Sequence, residues 1–420
     1  MRRPIDGSSG LTERFGIQGT HRAMAIGDIN PAFESLGRPL RLGVIGGGYG
    51  SFIGPIHRSA AELDGRFRVV AGVLSSDPAK CITQGAAIGL AADRTYVSAA
   101  NMIAAEAART DGIEALAVMT PNDGHFDACR QALTAGLHVI CDKPLTNDAG
   151  DARALARLAH DRGLLFCVTH NYSGYAMVRQ ARAMVQGGAI GAVRMVHVEY
   201  FQGGMATPVE RGALTPKLRW KLDTARSGPS LVMGDIGTHA HHLAGFVSGS
   251  HVSAVAADIG ALVPGRTVDD YGAMLWRFAN GARGTCCVTQ AAAGAENNVT
   301  IRVFGESGLL EWQHLAPNYL RHAPLGEPVR VLARADPYLL PAARRANRIM
   351  RGHPEGFRES FANLYADVAE AMVARITGVA ADPLALDFPD VRDGLRGVLF
   401  IEAALRSSRA GGGWVTCELE

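Results

Sequence analysis

The sequence predicts an α/β plus α+β protein, with an N-terminal doubly wound parallel sheet followed by a mostly antiparallel sheet with helices on one face. Three observations carry this expectation. Up to about residue 165, short apolar runs alternate with segments of helical period, the pattern of parallel strands joined by crossover helices. After residue 190 the runs lengthen, alternate in polarity and are joined by glycine-containing turns, as in antiparallel meanders. The chain of 420 residues is also long enough to bury two cores without disulfides or metals.

Residues 1–40 are mixed in composition, dotted with Gly and Pro and weakly periodic, and read as an N-terminal arm. Strands are expected at Leu42 to Ile45, Phe67 to Leu74, Ala115 to Met119, His138 to Cys141 and Leu164 to Thr169. Asn122 stands where an N-cap belongs, Phe126, Cys129 and Leu133 share a helical face, and Gly136 stands where such a helix stops. Ala152 to Leu158 repeats the pattern and Gly163 closes it, which gives a dinucleotide-type domain over 41–165. The second domain, 166–420, carries strands at Val193 to Tyr200, Val252 to Ala261, Gly272 to Phe278, Gly284 to Gln290, Val299 to Phe304 and Val329 to Leu332. Two helices interrupt them, near Asp235 to Phe246 and from Pro354 to Ile376. In the second, Phe357, Phe361, Leu364, Val368 and Met372 fall on one face and Gly378 is the stop. The last helix is expected to pack back on the first domain.

Lys and Arg number 42 against 40 Asp and Glu, a balance that removes the electrostatic case for binding nucleic acid and points to small-molecule partners. Seven cysteines without a Cys-x-x-Cys spacing suggest buried thiols and neither a disulfide framework nor a zinc ribbon. Met1-Arg2-Arg3-Pro4 is basic, but Asp6, Gly7, Ser8, Ser9 and Gly10 follow where a signal peptide needs an apolar run. No stretch approaches the roughly 18 apolar residues of a membrane span, so a cytoplasmic protein with no membrane association is expected.

The first strand runs into Gly46-Gly47-Gly48-Tyr49-Gly50-Ser51-Phe52-Ile53-Gly54. In a Rossmann domain such glycines let the backbone turn tightly and approach a dinucleotide pyrophosphate at a helix N-terminus. Ser51 occupies the sixth position of a strict Gly-x-Gly-x-x-Gly, so Gly54 is assigned the third glycine's role across a three-residue insertion. The second strand ends Leu74-Ser75-Ser76-Asp77-Pro78. Ser75 stands where an acid would hold the adenosine ribose, so NAD and NADP are both open; the absence of an accompanying arginine tilts the choice to NAD.

Thr120-Pro121-Asn122 with His125, then His138-Val139-Ile140-Cys141-Asp142-Lys143-Pro144-Leu145, together resemble the Gfo/Idh/MocA family of glucose–fructose oxidoreductase and inositol dehydrogenase-like enzymes. Members typically carry Glu-Lys-Pro where this chain has Asp142-Lys143-Pro144. The resemblance resumes at Ser227 to His239 and at Gly352-His353-Pro354-Glu355-Gly356, so it covers the chain from about residue 41 to the end. It implies that Lys143 lies beside the nicotinamide and hydrogen-bonds the reacting oxygen, and that Asp235 and His239 form an acid/base pair. It also implies cofactor contacts from Gly46, Gly48, Tyr49, Gly54, Ser75, Ser76, Thr120, Asn122 and His125. The residues support the catalytic part of this. Lys143 follows a buried-looking strand at the carboxyl end of the sheet, where ligands bind in open α/β folds. Asp235 and His239, four residues apart, share a helix face, so that the carboxylate can orient the imidazole as base for an alcohol proton near neutrality. Asp235, His239 and His242 also have a spacing that could ligate a metal, but hydride transfer needs only a positioned proton acceptor, and no metal is assigned. His170, Asn171 and Tyr172 follow the fifth strand and are expected to overhang the same cleft, and Arg219-Trp220-Lys221 resembles a place where relatives contribute substrate contacts, with Trp220 offering a face to a sugar ring.

The activity so implied is transfer of a hydride between nicotinamide and a sugar or cyclitol, a glycoside giving a keto-sugar included. A redox-assisted NAD-dependent glycosidase is the alternative, and a cofactor-sensing regulator a further one, which the retained Lys143, Asp235 and His239 argue against. Relatives pair their second-domain sheets, so a homodimer or homotetramer is expected.

Overall fold

The first apolar run forms strand β1 (Leu40–Gly46), and the computed structural model, which describes residues 35–417, builds a parallel sheet around it. The order is β2 (Phe67–Val73), β1, β3 (Ala115–Met119), β4 (His138–Cys141), β5 (Phe166–Val168). Crossover helices α1 (Ile53–Glu62), α2 (Pro78–Ala87), α3 (Ala99–Ala107), α4 (His125–Thr134) and α5 (Ala149–Asp161) join them. Helices on both faces explain the unbroken apolar runs: every residue of β3 is buried. The side chains of Asp77, Ser98 and Asp148 cap α2, α3 and α5 by accepting from Lys80 N, Asn101 N and Asp151 N. Asn122 is not a cap. It begins a 3-10 turn, Asn122–Gly124, ahead of α4.

Two boundaries move. Residues 1–34 of the expected arm lie outside the described residues, and Leu40 already belongs to β1. The division at 165/166 falls inside the sheet, because β5 pairs with β4 through Val139↔Phe166 to Cys141↔Val168; the first unit therefore runs through Val168.

The second unit opens with α6 (Ala176–Gln186), β6 (Val193–Phe201), a short helix α7 (Pro216–Lys221) and α8 (Thr238–Ser248). Then come β7 (Val252–Gly260), β8 (Tyr271–Phe278), β9 (Arg283–Thr289), β10 (Asn298–Gly305), β11 (Gly308–Gln313), β12 (Tyr319–Pro324) and β13 (Arg330–Ala333). Two long helices, α9 (Phe357–Thr377) and α10 (Val391–Arg409), and a short edge strand β14 (Val415–Thr416) end the described chain. The sheet order is β13-β12-β11-β10-β6-β9-β8-β7-β14. Neighbours run antiparallel except β6 and β9, which are parallel. One face packs on α6, α8 and α10. The other presents the cross-strand row Leu275, Thr285, His197, Arg302, Glu311, Arg321 and Val331.

Both C-terminal helices return to the first unit. α9 lies along α1, and Phe361, Leu364, Tyr365, Val368 and Met372 enter the core of the first sheet. α10 packs on α5, where Glu402 Oε1 accepts from Ala149 N at 2.8 Å. Among the described residues no helix is long and apolar enough to cross a membrane.

The Gly352 to Gly356 motif has a structural use. Glu355, buried, accepts from Arg334 Nη1 at 2.8 Å, Arg348 N at 2.8 Å and Ile349 N at 3.0 Å, while Arg334 also donates to Ile349 O and His353 O. The pair gathers the segment that leads into α9. Removing one partner leaves the other charge buried, so Glu355→Ala is expected to cost about 3–5 kcal/mol in urea denaturation. A loss below about 1 kcal/mol would show the pair to be dispensable.

Candidate active site

The glycine turn packs on itself. Gly46, Gly47 and Gly50 have φ of +82°, +66° and +83°, which L side chains rarely adopt. A Cβ on Gly54 would lie 1.9 Å from Gly47 O, and one on Gly48 would lie 2.0 Å from Leu74 O. Gly54 thus lets α1 press against the turn, the third glycine's role despite the longer spacing, and Gly48 lets the turn meet the end of β2. Ser51 Oγ accepts from Gly54 N at 3.1 Å, and Tyr49 stands 95% exposed at the tip. Ser75 and Ser76 follow β2; Ser75 Oγ accepts from Asp77 N at 3.1 Å, and Asp77 pairs with Lys80 at 3.7 Å. A tight, open-tipped turn after the first strand fits a dinucleotide pyrophosphate.

Lys143 follows β4. The preceding Asp142 is fixed from below, accepting from Thr169 Oγ1 at 2.7 Å and lying 3.2 Å from His57 Nε2, whose Nδ1 meets Tyr365 Oη at 2.8 Å. Burial opposes ionisation of Asp142, but His57 and Thr169 outweigh it and bring it down to about 2. His125, expected at the cofactor, is fully buried with its ring nitrogens at Pro144 O (2.9 Å) and Thr120 O (3.1 Å). It braces the lysine turn against the β3 turn. Asn122 Nδ2 donates to Ser227 O at 2.7 Å, joining the two units, and Thr120 Oγ1 is buried without a protein partner.

Across the cleft, Met233–Gly237 forms a π-helical turn ahead of α8. The wider turn removes the expected i,i+4 alignment of Asp235 with His239. Lys143 Nζ donates to Asp235 O at 2.5 Å and to Oδ1 at 3.4 Å; Oδ2 accepts from Lys221 Nζ and, at 2.6 Å, from Gln290 Nε2. No hydrogen bond links Asp235 to His239, whose Nδ1 is buried without a partner. Two ammonium ions outcompete a neutral imidazole for the carboxylate. Burial works against the Asp235 anion, yet Lys221 and Lys143 hold it well below the ordinary carboxylate range. Burial lowers Lys143, with Asp235 opposing and Lys221 reinforcing the shift. Burial, then the charge of Lys143, push His239 well below 6.5, so its imidazole is neutral at physiological pH and free to accept a proton.

His239 rests edge-on against Tyr172, ring centroids 5.0 Å apart. Tyr172 Oη meets Tyr200 Oη at 2.7 Å, Tyr200 Oη donates to Asn297 Oδ1 at 2.9 Å, and Gln202 Oε1 accepts from Gln290 Nε2 at 3.1 Å. A continuous wall of amides and phenols therefore runs from Asp235 to Tyr172. The other sequence candidates sit behind it. His170 stacks on His242 at 4.3 Å, and Asn171 Nδ2 donates to Ser360 Oγ at 3.4 Å. Trp220 is half-buried on α7, and the contact with Asp235 is made by its neighbour Lys221. Among the described residues no group of three or more His, Cys, Asp or Glu is arranged to hold a metal ion. Lys221 was expected only as part of a substrate-contact segment and not at Asp235; not foreseen from the sequence are Gln290, Gln202, Asn297 and Tyr200. Gln290, Gln202 and Asn297 lie just beyond strand ends, where no periodicity marks which way they point, and Tyr200 continues the buried row of Val196 and Val198 in β6.

The profile described as "Oxidoreductase family, NAD-binding Rossmann fold" matches residues 40–170, and that of the GFO/IDH/MocA C-terminal domain matches 178–311. The oxidoreductase YfiI of Bacillus subtilis (strain 168) is 34% identical over 383 residues, 90% of this chain and 97% of its own. The chain belongs to the Gfo/Idh/MocA oxidoreductase family. Within this family, a crystal structure of an oxidoreductase from Sinorhizobium meliloti is 43% identical with a TM-score of 0.81, covering 90% of this chain and 99% of that one. An inositol dehydrogenase homolog from Azotobacter vinelandii, solved with NADH and myo-inositol, is 37% identical with a TM-score of 0.83 over 90% of this chain and 98% of that one. The family's NAD-binding Rossmann fold accounts for the closeness of Gly54 to Gly47. Gly54→Ala is expected to push α1 away, weakening NADH binding by about tenfold or more in a fluorescence titration and lowering the melting temperature. Unchanged affinity in a folded variant would place the cofactor elsewhere.

Proposed function

We propose that this family member is an NAD(P)-dependent dehydrogenase that moves a hydride between nicotinamide and one carbon of a ring polyol, a cyclitol or a sugar. The observation that carries the reading is the meeting, at the carboxyl end of the parallel sheet, of a cationic donor on Lys143 with the neutral imidazole of His239, facing a wall of amides and phenols. Such a wall offers donors and acceptors without charge, suited to neighbouring hydroxyls. The Azotobacter relative solved with NADH and myo-inositol supports it. NAD is the preferred cofactor in this reading: no arginine accompanies Ser75 and Ser76, and the carboxylate of Asp77 stands two residues beyond Ser75.

Gly46, Gly48 and Gly54 shape the turn that would hold the pyrophosphate, with Tyr49, Ser75 and Ser76 at its rim. When bound, the nicotinamide supplies the hydride acceptor or donor. In the oxidative direction His239 Nε2 accepts the hydroxyl proton, while Lys143 Nζ donates to the oxygen on which charge develops. Asp235 anchors Lys143 instead of orienting His239. The enzyme self-associates through the face of the second sheet that bears Leu275 and Val331, both more than half exposed. None of the seven cysteines is joined in a disulfide among the described residues, which fits a cytoplasmic setting.

The test is a panel of cyclitols, aldoses and glycosides with NAD and NADP, read at the nicotinamide absorbance. Net formation of reduced cofactor is expected from a free polyol; turnover of a glycoside with no net reduction would favour the redox-assisted glycosidase instead. His239→Ala should lower kcat by about a hundredfold or more with little change in cofactor affinity, and Lys143→Ala at least as much.

The pH profile follows from the histidine's environment. A base works when neutral, and His239 is held neutral by burial and by Lys143. The oxidative rate should therefore rise with pH through a limb well below 6.5 and be flat near neutrality. A limb at or above 6.5 that disappears in His239→Ala would contradict the burial of this ring.

A further inference from the structure

Lysine is scarce in this chain. There are four, at 80, 143, 217 and 221, against thirty-eight arginines. Ion pairs elsewhere among the described residues use arginine or histidine, apart from the exposed Lys80–Asp77 pair. Lys143 and Lys221 share one carboxylate, that of Asp235, and Lys217 lies close enough to feel Lys221, Asp235 and Lys143. Three of the four lysines thus gather where the composition of the rest of the chain would have placed arginine. Arginine stays charged in any setting and presents a wide planar fork, whereas lysine is compact and its proton responds to its surroundings.

The geometry explains what a second lysine adds. Gln290 is a neutral donor, so Asp235 with Lys143 and Lys221 carries one net positive charge. α7 brings Lys221 there: Thr215 caps it by accepting from Leu218 N at 3.3 Å, and Pro216 starts it. Lys217 and Lys221, four residues apart, share a face. Lys217 Nζ stands 5.5 Å from the centre of the Phe52 ring in the glycine turn, while Lys221 reaches Asp235.

We propose that Lys221 is a positioning residue for Lys143. It pins the Asp235 carboxylate that holds the Lys143 ammonium, and its own charge makes Lys143 a stronger donor to the oxygen that reacts. The proposal rests on the dehydrogenase reading for its kinetic consequence, but not for its electrostatic one. The charged and titratable groups around Lys143 are Asp235, Lys221 and Lys217 from the second unit, Asp142 from its own turn, and the neutral rings of His239 and His170. Burial lowers Lys143 most, Asp235 and Asp142 raise it, and Lys221 supplies the leading like charge.

Four lysines make the test direct. Protein labelled with carbon-13 at lysine Cε gives four signals, assigned with Lys80→Arg and Lys217→Arg, and each is followed against pH without cofactor or substrate. In Lys221→Met, and in the hydrogen-bonding Lys221→Gln should the first fold poorly, the Lys143 signal is expected to titrate about one pH unit higher than in wild type. With a turned-over polyol, kcat should fall about tenfold or more with a smaller change in KM, and the high-pH limb should move up with the Lys143 signal. Lys221→Arg, which keeps the charge, should restore the wild-type titration. An unshifted Lys143 signal in both neutral variants overturns the proposal even if wild type oxidises polyols. A shifted signal with no polyol turned over by wild type sustains the electrostatic coupling and sinks the substrate reading instead.

Discussion

A carboxylate partly buried between two folded units has to be compensated, and the way Asp235 is compensated organises the cleft. Its partners come from three places: the Lys143 turn after β4, α7, and the residue after β9. A lone carboxylate there would lose its proton only at a heavy cost in solvation. Two ammonium ions and an amide reverse that, and each partner is thereby held at the mouth of the parallel sheet. The same compensation leaves His239 without a bond to the carboxylate, whose charge is taken up by two cations that bind it more strongly than a neutral ring would. Edge-on contact with Tyr172 holds the imidazole instead, and burial beside Lys143 keeps it neutral.

Much of the fold was legible because burial on both faces leaves a mark in the sequence. β1, β3 and β4 fell within a residue or two of their apolar runs, and Gly136, Gly163 and Gly378 stand at helix ends as their positions implied. β11 and β12 were not legible: their outward positions, such as Glu311 and Arg321, alternate with buried Trp312 and Leu320 over too few residues to outweigh a loop reading. The fifth strand was recognised but assigned to the wrong side of a boundary, because three residues of strand carry no sign of which sheet they join.

The candidate site was legible where a motif marks a residue type and obscure where only geometry decides. Lys143, Asp235 and His239 could be singled out, yet the relation between Asp235 and His239 could not, because the spacing that puts two residues on one α-helical face does not do so across a π turn. Asn122 and His125 were expected at the cofactor and serve as braces, one between the units and one beneath the lysine turn. Their side chains are polar for the sake of backbone carbonyls that would otherwise be unpaired. Lys221 was marked by its place in Arg219-Trp220-Lys221, and its rarity in an arginine-rich chain is a second signal that periodicity does not register.

The return of α9 and α10 to the first sheet has a consequence for how the chain comes into being. Phe361, Tyr365, Val368 and Val398 complete a core whose other half, from Leu40 to Val168, leaves the ribosome some two hundred residues earlier. During synthesis the parallel sheet therefore emerges with one flank uncovered, and the amide of Ala149 waits for Glu402. The core of the nucleotide-binding half is thus completed only near the end of synthesis, and a nascent chain of this kind carries exposed apolar surface for about half of its translation.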